Sequence, residues 1–79
     1  MLIRGERQNI IDSDDVLEFE LYAYAHQFKV KAILKNATQH MLSADLTEVK
    51  DKPEAQKQME RIWVGLTNGW KSVDLSKTP

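Results

Sequence analysis

Cysteine is absent from this chain. That excludes a disulfide framework, a thiol nucleophile and a cysteine-ligated zinc site. Glycine occurs three times and proline twice in 79 residues. No Gly/Ser-rich linker, internal repeat or low-complexity segment interrupts the chain. Long apolar runs are missing as well. Nothing approaches the ~20 residues that a membrane-spanning helix needs. The opening MLIRGERQNI lacks the apolar core of a secretory leader. The expected location is therefore the cytoplasm, and Asn36-Ala37-Thr38 is expected to be a turn rather than a glycosylation site. An excess of one charge is lacking too, with eleven basic and twelve acidic side chains for a net charge of −1. Strong non-specific nucleic-acid binding needs a basic footprint, and a polyanion mimic needs a strongly acidic one. No nucleophile–base pair, phosphate loop or metal-ligand spacing occurs, so the chain reads as a non-enzyme without metal or cofactor.

What the sequence does contain is alternation. From Val16 to Lys35, Leu17, Phe19, Leu21, Ala23 and Ala25 are apolar at odd positions, with Glu18, Glu20, Tyr22, Tyr24 and His26 between them. After Gln27 the parity flips, and Phe28, Val30, Ala32 and Leu34 alternate with Lys29, Lys31 and Lys35. A period of two marks strands with one buried face. The flip marks a tight reversal between them. Facing Ala25 with Phe28, Ala23 with Val30, Leu21 with Ala32 and Phe19 with Leu34 puts every apolar pair on one side. Tyr24 then faces Lys29, Tyr22 faces Lys31 and Glu18 faces Lys35. A slip of one residue would mix the faces. The loop is His26-Gln27 or the longer Ala25 to Phe28, because neither His nor Gln favours the positive φ of a two-residue turn. The competing reading is one helix over 13–35, which leaves Phe19, Val30, Ile33 and Leu34 scattered around its surface.

The remaining elements follow in order. Met1 to Ile11 reads as a weak edge strand with charges in its middle. Asp12-Ser13-Asp14-Asp15 reads as a turn, since no calcium-loop frame of about twelve residues with a bend glycine and a distal glutamate follows it. A loop over 36–40 precedes a strand from Met41 to Glu48. There Leu42, Ala44 and Leu46 are placed opposite Leu34, Ala32 and Val30. Asp51 to Asn68 reads as a helix. Asp51 and Glu54 stand as a capping box, Pro53 lies in the first turn, and Gly69 follows the C-cap. Ala55, Met59, Ile62, Trp63 and Leu66 form its apolar stripe. The expected architecture is α+β: an antiparallel meander of three to four strands with one C-terminal amphipathic helix on its apolar face. It forms a single domain over 1–75, with a frayed tail over 76–79.

Three constellations could carry function. Tyr22 and Tyr24 lie beside Lys29 and Lys31 on the hairpin's polar face. Aromatics beside cations on a sheet can stack bases and hold phosphates, although Glu18 and Glu20 share that face. Residues 1–27 carry two basic and six acidic side chains and residues 28–52 carry five and three, so the paired strands largely neutralise each other. Trp70, Val73 and Leu75 could form a docking patch or dimer contact after the helix. His26 and His40 fall in successive turns, at opposite ends of a meander, which argues against a two-histidine metal site. The leading expectation is a small non-enzymatic interaction protein of bacterial or phage type. It would bind another protein, or itself as a homodimer, through Tyr22, Tyr24, Lys29, Lys31, Trp70, Val73 and Leu75. The alternative is a single-stranded nucleic-acid binder using the Tyr/Lys face.

Overall fold

The computed structural model describes the backbone of residues 1–38 and 41–76, and the side chains of these except 36–38, 41 and 42. His40, the placement of the Leu42 side chain and the tail residues 77–79 fall outside the described residues. In chain order the elements are β1 (Leu2–Arg4), β2 (Ile10–Asp12), a 3-10 turn (Ser13–Asp15), β3 (Val16–Tyr24), β4 (Gln27–Thr38), β5 (Met41–Val49), α1 (Lys52–Asn68) and β6 (Ser72–Asp74). The strands form two three-stranded sheets, ordered β3-β4-β5 and β2-β1-β6. The α+β meander with a C-terminal helix packed on it is thus present. A second small sheet is added to it.

The hairpin faces are those expected, but its register differs by two. Ala23 faces Phe28, Leu21 faces Val30 and Phe19 faces Ala32. The loop is Ala25-His26, with φ of 46° and 68°. Positive φ at both central residues is the I′ geometry, whose twist matches the flanking strands. A shift of two keeps every side chain on its face, so the apolar pattern cannot discriminate between the two registers. Leu17 departs from its expected apolar position. A bulge between Val16 and Glu18 turns it out, 68% exposed, and Val16 takes the buried place opposite Leu34. β4 continues to Thr38, which pairs with Met41, so the expected 36–40 loop is shorter.

β5 carries a second bulge. Val30 faces Thr47, whereas Lys31 faces Asp45 and Ala32 faces Ala44, leaving Leu46 as the extra residue. Leu46 and Thr47 are consecutive and both are buried, which regular alternation forbids. Thr47 faces the core beside Val30, and its hydroxyl has no hydrogen-bond partner among the described residues.

α1 starts after Asp51, whose carbonyl accepts the Ala55 N–H at 3.2 Å. The Asp51 side chain makes no capping hydrogen bond, so the expected capping box does not form. Pro53 occupies the first turn, where its missing N–H costs nothing. Gly69 ends the helix at φ 69°, in the left-handed region that suits glycine. The buried helical residues are Ala55, Ile62 and Gly65. Trp63, expected in the core, is 63% exposed, and Leu66 is also largely exposed. The cause is Gly65. A Cβ there would lie 2.8 Å from the Met1 sulfur and 2.9 Å from a Trp70 ring carbon. Ala55 and Gly65 let the helix approach its neighbours on either side of the buried Ile62, and Trp63 is rotated out.

Residues 1–11 are not one edge strand. They divide into β1 and β2 around a loop over 5–9, and β1 lies at the centre of the second sheet. It pairs antiparallel with β2 and parallel with β6, Ile3 facing both Ile11 and Val73. Ile3, Val73 and Leu75 join Val16, Val30, Ala32, Leu46 and Ile62 in the core, with Met59 and Phe19 packed at its margin. Each large side chain buried there contributes about 1.5–3 kcal/mol.

Candidate functional site

β3 carries the most developed surface. Its even-numbered side chains, Glu18, Glu20, Tyr22 and Tyr24, leave the core face. The Tyr22 and Tyr24 rings stack, with centroids 6.3 Å apart and planes at 19°. Directly across the ladder are Lys29, opposite Tyr22, and Lys31, opposite Glu20. The contacts are diagonal: Lys31 Nζ stands 4.4 Å from the Tyr22 ring centroid and Lys29 Nζ 5.5 Å from that of Tyr24. The Tyr–Lys partnerships expected from the sequence are therefore made, through diagonal neighbours rather than opposite ones. Each is worth about 0.5–1 kcal/mol at an exposed site.

The lysines are held from their other side by carboxylates. Lys29 Nζ lies 3.5 Å from Asp45 Oδ2 and 3.7 Å from Glu48 Oε2, and Lys31 Nζ lies 3.9 Å from Asp45 Oδ1. Their side chains are 19% and 23% exposed. Asp45 and Glu48 are three residues apart and would take opposite faces of a regular strand. The Leu46 bulge brings both to the lysine face. Nothing in the sequence singles these two residues out, since only a bulge relates them. Arg7 Nη2 adds a third cation 3.6 Å from Glu48 Oε2.

The loop over 5–9 lies against this bulge. The Glu6 N–H donates to the Leu46 carbonyl at 2.7 Å, and the Glu48 N–H donates to Glu6 Oε2 at 2.9 Å. Asn9 Nδ2 donates to the Asp45 carbonyl at 3.1 Å. Between loop and strand lies a groove of about 310 Å³ walled by Glu6, Arg7, Asp45, Leu46, Thr47 and Glu48. Its charged groups are already engaged: Arg7 with Glu48, Asp45 with Lys29 and Lys31, and Glu6 with the Glu48 N–H.

The second expected surface is divided. Val73 and Leu75 are 5% and 3% exposed and belong to the core. They cannot form one docking patch with Trp70, because pairing with β1 turns Val73 inward and Leu75 donates its N–H to the Arg4 carbonyl at 2.9 Å. Trp70 remains 43% exposed and folds back over Gly65, to whose carbonyl it donates its own N–H at 2.9 Å. His26 sits in the β3–β4 turn. Among the described residues no group of three His, Asp or Glu side chains is placed to hold a metal ion. The Asp12–Asp15 cluster is a 3-10 turn in which Asp12 Oδ1 accepts the Asp14 N–H at 3.0 Å. No helix among the described residues is long and apolar enough to cross a membrane.

Compared with protein-family profiles, with curated proteins and with solved structures, the chain matches none.

Proposed function

We propose that this protein is a non-enzymatic interaction module that binds another protein through β3, with Tyr22 and Tyr24 as its anchors. The observation that carries this reading is the braced tyrosine pair. Two exposed rings stack on each other, and each is backed by a lysine that is itself fixed by carboxylates. Rings held in place before contact lose little entropy on binding, and tyrosine brings apolar area with a polar tip. The same geometry disfavours the nucleic-acid alternative. A phosphate reaching Lys29 or Lys31 must displace Asp45 or Glu48, and Glu18 and Glu20 add repulsion on the same face.

The test compares the wild-type protein with Tyr22→Ala/Tyr24→Ala as immobilised bait for an extract of the source cells. A protein held by the wild type and released by the double variant, whose amide spectrum otherwise stays that of the folded chain, supports the reading. Identical captured sets refute it. A short mixed-sequence single strand is titrated in parallel. Saturable shifts of Tyr22, Tyr24, Lys29 and Lys31 that vanish at high salt would transfer the site to nucleic acid.

A further inference from the structure

Among the described residues nothing pairs with the outer side of β3, and we infer that this edge pairs with the same edge of a second copy, antiparallel, with Leu21 on the two-fold axis. The inference rests on the reading of β3 as the interaction element and names one partner for its backbone.

The two edges of the larger sheet are treated differently. β5 is covered over Asp45–Glu48, since the loop over 5–9 supplies the Glu6 N–H to Leu46, the Glu6 carboxylate to the Glu48 N–H and the Asn9 amide to Asp45. β3 ladders with β4 only, and among the described residues no loop hydrogen-bonds to its outer side. In a two-residue hairpin the pair flanking the loop is hydrogen-bonded, and bonded and open pairs alternate from there. Tyr24–Gln27, Tyr22–Lys29 and Glu20–Lys31 are therefore the bonded pairs. The backbone N–H and C=O groups of Phe19, Leu21 and Ala23 point outward. An uncovered row of this kind is a template for another strand.

The chain can supply that strand itself. With Leu21 facing Leu21 of the copy, Phe19 faces Ala23 and Ala23 faces Phe19, so all the outward groups find partners. On the apolar side a large ring meets a small methyl at each end of the seam, with two leucines between. On the polar side Glu20 faces Tyr22 and Glu18 faces Tyr24, so no carboxylate faces a carboxylate. Sliding the copies by two residues in either direction worsens one of these terms. One way sets Glu20 opposite Glu20, and like charges directly opposite are destabilising. The other way sets Phe19 opposite Ala25, which belongs to the turn. The charge and the apolar pairing together select one register. Because β5 is covered, the pairing closes as a dimer instead of propagating. The result is a continuous six-stranded sheet with both Tyr22–Tyr24 pairs on one face. The seam involves one strand per copy, smaller than the ~800 Å² per partner of a standard interface, so the dimer dissociates on dilution.

Single cysteines test the register cleanly in a chain that has none. In a Leu21→Cys variant the two sulfur-bearing residues face each other with Cα atoms about 5.5 Å apart, within disulfide range. In Ala23→Cys the equivalent residues are displaced by four positions, about 13 Å. Under mild oxidation Leu21→Cys is expected to cross-link and the more exposed Ala23→Cys is not. Light scattering on the wild type from micromolar to millimolar concentration is expected to run from monomer to dimer. Ala23→Pro removes an outward N–H without touching the β4 ladder, and weakens the dimer by about tenfold or more. A wild type that stays monomeric at millimolar concentration overturns the inference. So does equal cross-linking of the two cysteine variants, or a dimer indifferent to Ala23→Pro. Any of these would leave the Tyr22/Tyr24 capture result standing, because that experiment reads the tyrosine face and this one the backbone edge.

Discussion

The β3–β4 turn is a position where the protein can be made more stable by a calculable amount. Ala25 and His26 both sit at positive φ, where a side chain crowds the following carbonyl at a cost of roughly 1–2 kcal/mol per residue. Asn-Gly is the pair that this turn favours. His26→Gly removes the crowding but adds about 0.5–1 kcal/mol of chain entropy to the unfolded state. Its net gain is about 0.5–1 kcal/mol, and Ala25→Asn contributes about 0.5 kcal/mol more through the tolerance of asparagine for this region. The double variant is therefore expected to gain about 1–1.5 kcal/mol. For a domain of this size that raises the Tm by about 5–10 °C. Thermal melts followed by circular dichroism, with urea unfolding as a second measure, read the change. The control is His26→Asn/Gln27→Gly, which places the favoured pair one residue later. Gln27 belongs to the ladder opposite Tyr24, so this control is expected to lose stability. If the control stabilises and Ala25→Asn/His26→Gly does not, the loop lies at 26–27. The pairing of Tyr24 with Gln27, and with it the placing of Phe19, Leu21 and Ala23 along the outer edge, would then be wrong.

Further expectations concern the β5 bulge and its surroundings. Thr47→Val replaces a buried hydroxyl lacking a partner among the described residues by a methyl of similar shape, and should raise stability by about 1 kcal/mol in urea unfolding. Gly5→Ala should cost about 1–3 kcal/mol by the same assay. The added Cβ would lie 2.9 Å from the Leu46 carbonyl oxygen and collide with the Asn9 amide, tearing the loop from the strand it covers. Leu46→Ala should cost about 2–5 kcal/mol, whereas Leu17→Ala, on the exposed β3 bulge, should stay within about 0.5 kcal/mol of the wild type. Asp45→Asn/Glu48→Gln releases Lys29 and Lys31 from their carboxylates. It should give oligonucleotide-induced amide shifts at low salt that the wild type lacks.

The tyrosine face was legible in the sequence because strand alternation alone assigns Tyr22, Tyr24, Lys29 and Lys31 to one side. Their neutralisation was not. It depends on a bulge at Leu46, which inserts a residue without leaving a glycine or proline signal. The docking patch after the helix failed for a related reason. Val73 and Leu75 alternate over too few residues to reveal a strand, and their partner Ile3 lies near the opposite end of the chain.

Local chemistry by itself determined the alternating hairpin, the third strand, and the helix between Pro53 and Gly69. Strand period and the glycine at the helix end act over a few residues and were kept, whereas the Asp51–Glu54 capping box does not form and the turn falls on Ala25-His26 against the local φ preference. Tertiary structure alone decided the second sheet, the two bulges and the face of the helix that is buried. Pairing Leu2–Arg4 with Ser72–Asp74 is a contact between the chain's two ends that neither end encodes. The helix turns its small residues inward because backbone approach at Gly65 admits Met1 and Trp70. A bulky Trp63 on that line would have held them apart.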